Sequence, residues 1–116
     1  MFLATADPGG LPHVAAAGKI GYTSEGRVSV SAWFCPGTML NLQENREVSI
    51  VVWQPATDVG YQLLGEVEDV QETAFMDGYA AELEGMPPSP QVERTLMVRV
   101  DKVLAFSHAP HSDTEQ

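Results

Sequence analysis

The chain has 116 residues, one domain's worth, and 44% of them are apolar. That suffices for a core, but a small one, so a partner subunit covering one face would help it. With 16 acidic against 6 basic residues and a net charge of -10, the chain has no basic footprint for nucleic acid and would be repelled by an anionic membrane. Cys35, the single cysteine, excludes an intrachain disulfide and fits a reducing cytoplasm. Met1 to Ala6 lacks the basic start and long apolar run of a signal peptide, and no apolar stretch approaches membrane-spanning length. The expectation is a soluble, acidic, cytoplasmic domain.

Met1 to Ala6 reads as a strand. Asp7-Pro8-Gly9-Gly10 is a turn, because Pro8 presets φ and the glycines accept positive φ. Leu11 to Ala17 returns as a second strand, and Lys19 to Thr23 continues it. Ala15, Ala16, Ala17 and Gly18 give this strand a run of small side chains. They leave room for something flat against the backbone, or for close packing of a neighbouring strand or helix. Ser24-Glu25-Gly26 turns the chain into a third strand, Arg27 to Phe34, alternating and rich in β-branched and aromatic residues. Cys35-Pro36-Gly37 cannot continue it. Thr38 suits the cap of a short helix, Met39 to Glu44. A glycine loop feeding a helix start aims several amides at one spot, a natural seat for an anion such as phosphate. Asn45-Arg46 ends the helix, and Glu47 to Trp53 is a strong strand.

Gln54 to Val59 is a loop. Gly60 to Val70 is a long strand in which Gly65 marks a bulge or a bend. The spacing of Phe75, Met76, Tyr79, Ala80 and Leu83 predicts a helix over Glu72 to Glu84. Gly85 can cap it and Pro87-Pro88 forbids continuation. Val92 to Phe106 is the last strand. Residues 1–106 form one domain and 107–116 a polar tail without periodicity, expected as a mobile end or an arm on a partner. Strands joined by hairpin turns, with two helices, predict a mainly β, antiparallel barrel.

Three motifs, in order along most of the chain, carry a resemblance. Phe2-Leu3-Ala4-Thr5-Ala6-Asp7-x-x-Gly10-x-Pro12-His13-Val14 resembles the opening strand and turn of the pyridoxamine-phosphate-oxidase-like, FMN-binding split barrels. Asn41-Leu42-x-x-Asn45-x-x-Val48-Ser49-Ile50 resembles their helix and following strand. Gly60-Tyr61-Gln62-Leu63-Leu64-Gly65-Glu66-Val67 is similar to a later strand of the same family. The resemblance implies a six-stranded antiparallel split barrel, a tight homodimer, and one FMN per subunit near the dimer interface. It implies an isoalloxazine lying along Val14 to Lys19, which brings in Ala15, Ala16, Ala17, Gly18 and Lys19. It also implies a phosphate where the third strand, with Ser29, Ser31 and Trp33, meets Gly37, Thr38 and Asn41.

The family usually places a lysine or arginine at the helix start, and often an arginine on the second strand. Here Gly37 and Thr38, and Ala16 and Ala17, stand in those places, and Lys19 is the one basic residue nearby in sequence. Losing a charge-assisted contact costs about 1.5 to 3 kcal/mol, roughly one to two decades in affinity. Arg27, Arg46 and Arg99 remain as cations that could reach in, from elsewhere in the fold or from a second subunit. The implied function is that of an FMN flavoprotein, a small oxidoreductase or electron carrier serving a small-molecule redox substrate or a redox protein. The alternatives are a flavin-free split-barrel dimer acting as a binding or structural module, and a relative using haem or a deazaflavin. Oxidation of pyridoxamine phosphate would bring a second phosphate ester to a chain with few basic residues.

No Ser-His-Asp order, nucleotide-binding glycine fingerprint, zinc pattern or pair of catalytic carboxylates is present. Any redox chemistry would therefore belong to a cofactor. His108 and His111 are three apart in the tail and lack a third ligand of fixed geometry. His13 reads as a packed strand histidine. Cys35 lies just before a helix start, which lowers a thiol pKa, or is simply a small residue at a turn. Trp33 and Trp53 end the central strands and suit core or interface packing, or stacking near a flavin.

Overall fold

The computed structural model describes residues 1–76, 91–110 and 113–116. The strands are β1 (Phe2–Ala6), β2 (Pro12–Ala16), β3 (Lys19–Ser24), β4 (Arg27–Ala32), β5 (Glu47–Gln54), β6 (Val59–Met76) and β7 (Gln91–Ala105), with helix α1 (Pro36–Glu44) between β4 and β5. They form one seven-stranded sheet in the order β2-β1-β5-β6-β7-β4-β3. Every pairing is antiparallel.

Sequence neighbours β2 and β3 thus stand at opposite ends of the sheet, joined by Ala17 and Gly18 alone. Three Cα steps, Ala16 to Lys19, reach at most about 11 Å. The sheet must therefore curl until its two ends nearly meet. The junction is bonded both ways: the Ala17 amide donates to the Met1 carbonyl and the Gly18 amide to the Ser31 carbonyl, each at 3.0 Å. β2 and β3 do not pair, so the barrel stays open along that seam. This is the split-barrel architecture.

Alternation along the strands sends Leu3, Val30, Ile50, Val67, Leu96 and Val98 to the concave face, where all six are buried. α1 plugs one end through Thr38 and Leu42. Among the described residues no helix is long and apolar enough to cross a membrane.

Several expectations are corrected. The predicted second strand bends at Ala17-Gly18 into β2 and β3, which raises the strand count from six to seven. The third strand ends at Ala32 rather than Phe34. α1 starts at Pro36, with Cys35 as its N-cap, so Thr38 lies inside the first turn and does not cap. The predicted helix from Glu72 is strand as far as Met76, because Gln71, Glu72, Ala74, Phe75 and Met76 continue the ladder with Thr95, Arg94, Glu93, Val92 and Gln91. Long-range pairing overrides the local helical spacing there; the rest of that predicted helix lies outside the described residues. The tail is not free. The Ala105 amide donates to the Thr114 carbonyl at 2.7 Å and the Gln116 amide to Val103 at 2.8 Å, so residues 114–116 run back along the end of β7.

Gly65 sits at a register shift between β6 and β7, the expected bulge. A Cβ built there would collide with the Arg99 carbonyl. Gly65→Ala is therefore expected to cost about 1 to 3 kcal/mol through overpacking, read as a lower urea midpoint with an unchanged slope. An unchanged midpoint would show that the β6–β7 contact is looser than described.

Candidate functional site

The residues expected at the site fall into two groups flanking the junction. The first is an outward-facing strip. Lys19 pairs with Ser31 and Gly21 with Ser29 across β3 and β4, and Ser31 pairs with Thr95 across β4 and β7. Alternation puts Lys19, Ser29, Ser31 and Thr95 on the convex face. Ser31 Oγ and Thr95 Oγ1 share a hydrogen bond at 2.8 Å, and Ser29 Oγ donates to the Gly21 carbonyl at 3.5 Å. Ala16, Ala17 and Gly18 lead into the strip, and Trp33 stands 44% exposed just past the end of β4. Ala15 points inward and belongs to the core, and Ala17 packs against that core. Thr95 was missed in the sequence, because nothing local there marks a threonine on the last strand as a neighbour of Ser31.

The second group is inward. Thr38 is fully buried. Its hydroxyl lies 3.3 Å from His13 Nδ1 and 3.3 Å from Cys35 Sγ, while Cys35 Sγ is 3.8 Å from His13 Nε2. The His13 ring lies over Gly37, where a Cβ would come within 3.2 Å of Nε2; the absent side chain is what admits the ring. Asn41 Nδ2 donates to Thr5 Oγ1 at 3.0 Å and ties α1 to β1. Burial pushes the Cys35 thiol up, but the Thr38 hydroxyl and the amides of Thr38, Cys35 and Gly37 outweigh it and hold the thiol below its ordinary range.

The cations are unevenly committed. Arg27 meets Glu68 at 2.7 Å. Arg99 meets Asp101 at 2.9 Å and Glu66 at 3.2 Å, and Arg94 meets Glu72 at 3.8 Å. Arg46 donates to the Val67 carbonyl at 3.2 Å. Arg27, Arg46 and Arg99 are thus engaged within the chain. Lys19 forms no ion pair among the described residues. Those residues also contain no group of three or more His, Cys, Asp or Glu side chains able to hold a metal. His108 is exposed at the surface, and His111 lies outside the described residues.

An open antiparallel barrel with a short helix after its fourth strand defines a split-barrel protein. The sequence pattern described as pyridoxamine 5'-phosphate oxidase matches residues 1–104, and the chain belongs to that family. No curated protein matches it in sequence. Among solved structures, HupZ of Group A Streptococcus superposes with a TM-score of 0.66 at 14% identity, covering 97% of this chain and 87% of that one. A Clostridium acetobutylicum protein related to general stress protein 26, of the pyridoxinephosphate oxidase family, gives 0.66 at 12% identity and covers 98% and 83%. An F420 reductase gives 0.60 at 20% identity and covers 88% and 86%. At these identities the likeness is one of fold.

The buried contacts around Cys35 set its reactivity. Thr38→Val removes the side-chain contact that lowers the thiol pKa while keeping the shape of the residue. The pH midpoint of iodoacetamide alkylation at Cys35 should then rise relative to wild type, so that labelling at neutral pH slows. A midpoint that stays put would show that the amides alone hold the thiolate.

Proposed function

We propose that the protein is a cytoplasmic homodimeric flavoprotein that binds FMN and works as a small oxidoreductase or electron carrier for a small-molecule substrate or a redox protein. The observation that carries this reading is Lys19. In a chain of net charge -10, its ammonium forms no ion pair among the described residues, and it stands beside Ser31 on the convex face. Ser29 and Thr95 add hydroxyls that rotate to donate. One cation and three hydroxyls match a phosphate monoester, with less charge than two basic ligands would bring. The small exposed residues Ala16 and Gly18 offer a flat approach to the ring, and Trp33 is exposed past the end of β4. The flavin would supply the electron chemistry; the chain would bind it, orient it and limit its access to water.

The dimer reading rests on the convex face of β2, β1 and β5. Register puts Val14 and Ala16 opposite Ala4 and Phe2, and Phe2 opposite Val51. Phe2 is 54% exposed and Val14 61%, an apolar sheet face of the kind that seeks a second copy. Oxidation of pyridoxamine phosphate itself is disfavoured. It would need a second phosphate seat, and the arginines are bonded to acceptors of the chain.

Purified protein loaded with FMN and passed through a desalting column should keep flavin absorbance in proportion to chain. Lys19→Ala should weaken retention about ten-fold or more, the effect of one charged hydrogen bond. Sedimentation should give twice the chain mass at micromolar concentration. Protein that stays colourless with excess FMN would leave the flavin-free dimer as the reading. Retention of a deazaflavin in place of FMN would change the cofactor but not the seat. A Soret band would point to haem.

A further inference from the structure

A cavity of about 760 Å³ lies against β1 and β5, lined by Met1, Phe2, Val51, Trp53, Phe106 and His108 among others. Its size is that of a small-molecule pocket. We propose that it is a binding site for an uncharged, flat aromatic molecule, with Asp58 as the positioning residue that holds one wall in place.

The walls are fixed before any ligand arrives. Asp58 sits at φ 53° on the turn between β5 and β6. Its Oδ1 accepts from Trp53 Nε1 at 3.0 Å and from the His108 amide at 2.6 Å. Its Oδ2 accepts from the Ala109 amide at 3.1 Å. One carboxylate thus clamps the indole to the chain leaving β7. The same three donors hold the Asp58 carboxyl below its usual range, the His108 amide contributing most. The Phe106 amide donates to the Gly60 carbonyl at 3.0 Å, and its ring meets Trp53 edge to face, with centroids 6.0 Å apart at 73°. Rings locked this way do not collapse into the space between them, and binding there spends little on ordering side chains.

The lining selects the ligand. Aromatic walls favour a planar ring through offset and edge contacts. No Lys, Arg, Asp or Glu side chain is among the described residues that line the cavity, so a charged ligand would find no such ion pair there to offset its lost hydration. The net charge of -10 weighs further against an anion. Phe2 and Val51 also belong to the face proposed for dimerisation, so the cavity opens at the margin of that face. The proposal does not rest on the FMN seat.

The test titrates Nile red, an uncharged planar probe, into the full chain, with the mass in solution measured on the same sample. A saturable fluorescence rise at one probe per chain is expected. The anionic probe 8-anilinonaphthalene-1-sulfonate should bind at least ten-fold more weakly. Val51→Trp, which fills the cavity from β5, should abolish the signal. Asp58→Asn tolerates the positive φ but turns an amide N–H₂ toward the Ala109 N–H, and should weaken binding about ten-fold. Circular dichroism checks the fold of both variants. No saturable binding by wild type, or full binding by Val51→Trp, overturns the site. If Val51→Trp does not fold, unchanged affinity in Asp58→Asn overturns it instead. A dimer that takes no probe removes the cavity and leaves the dimer; a monomer that binds one probe does the reverse.

Discussion

Two consecutive amides hold the architecture together. Ala17 donates to Met1 at one end of the sheet and Gly18 to Ser31 at the other, each at 3.0 Å. Because only these two residues join β2 to β3, a sheet of seven strands has no extended option. It must curl, and curling is what lets Leu3 on β1, Val30 on β4 and Leu96 on β7 share one buried interior. The glycine matters here for lack of bulk as much as for freedom, since its amide has to approach the β4 backbone directly. The junction also decides what the surface offers. It sets the small residues Ala16 and Gly18 next to the Lys19–Ser31 pair, so the candidate cofactor seat is a by-product of closing the barrel.

Charge is the second constraint. A chain this acidic would be expected to neutralise every cation, yet among the described residues only Arg27, Arg94 and Arg99 form ion pairs. Arg27, Glu68, Arg99, Glu66 and Asp101 form one network across β4, β7 and β6. Such exposed pairs add little stability individually, but they occupy the guanidinium groups. Lys19 stands outside that network. The phosphate reading rests on that ammonium beside Ser31, while the Thr38 hydroxyl in the first turn of α1 meets Cys35 and His13. The difference is one of direction. Thr38 at the third helical position points into the barrel toward His13, whereas a capping residue would have pointed out.

Much of the fold was legible because its signals are local. Alternation with β-branched and aromatic residues marked β4, and Gly65 announced its bulge in the long β6. The reading failed where partners are distant in sequence. Phe75 and Met76 sit in a helical spacing, yet Val92 and Gln91 claim them for a ladder. The bend that splits the second strand depends on where the sheet ends meet, which no window of residues contains. At the site, Lys19, Ser29 and Ser31 were legible as neighbours because a single hairpin joins them. Ala15 was misassigned to their face because a run of alanines carries no alternation to show which one points inward. Thr95 and the Asp58 clamp were illegible because their partners lie 64 and 50 residues away.

The central claim is that the closing junction and its lysine form the cofactor seat. The most direct measurement is a two-dimensional amide NMR spectrum of the labelled protein during FMN titration. The account predicts saturable one-to-one shifts concentrated at Ala16, Ala17, Gly18, Lys19 and Ser31. Shifts confined to Gly37 and Thr38, or none at all, would contradict it.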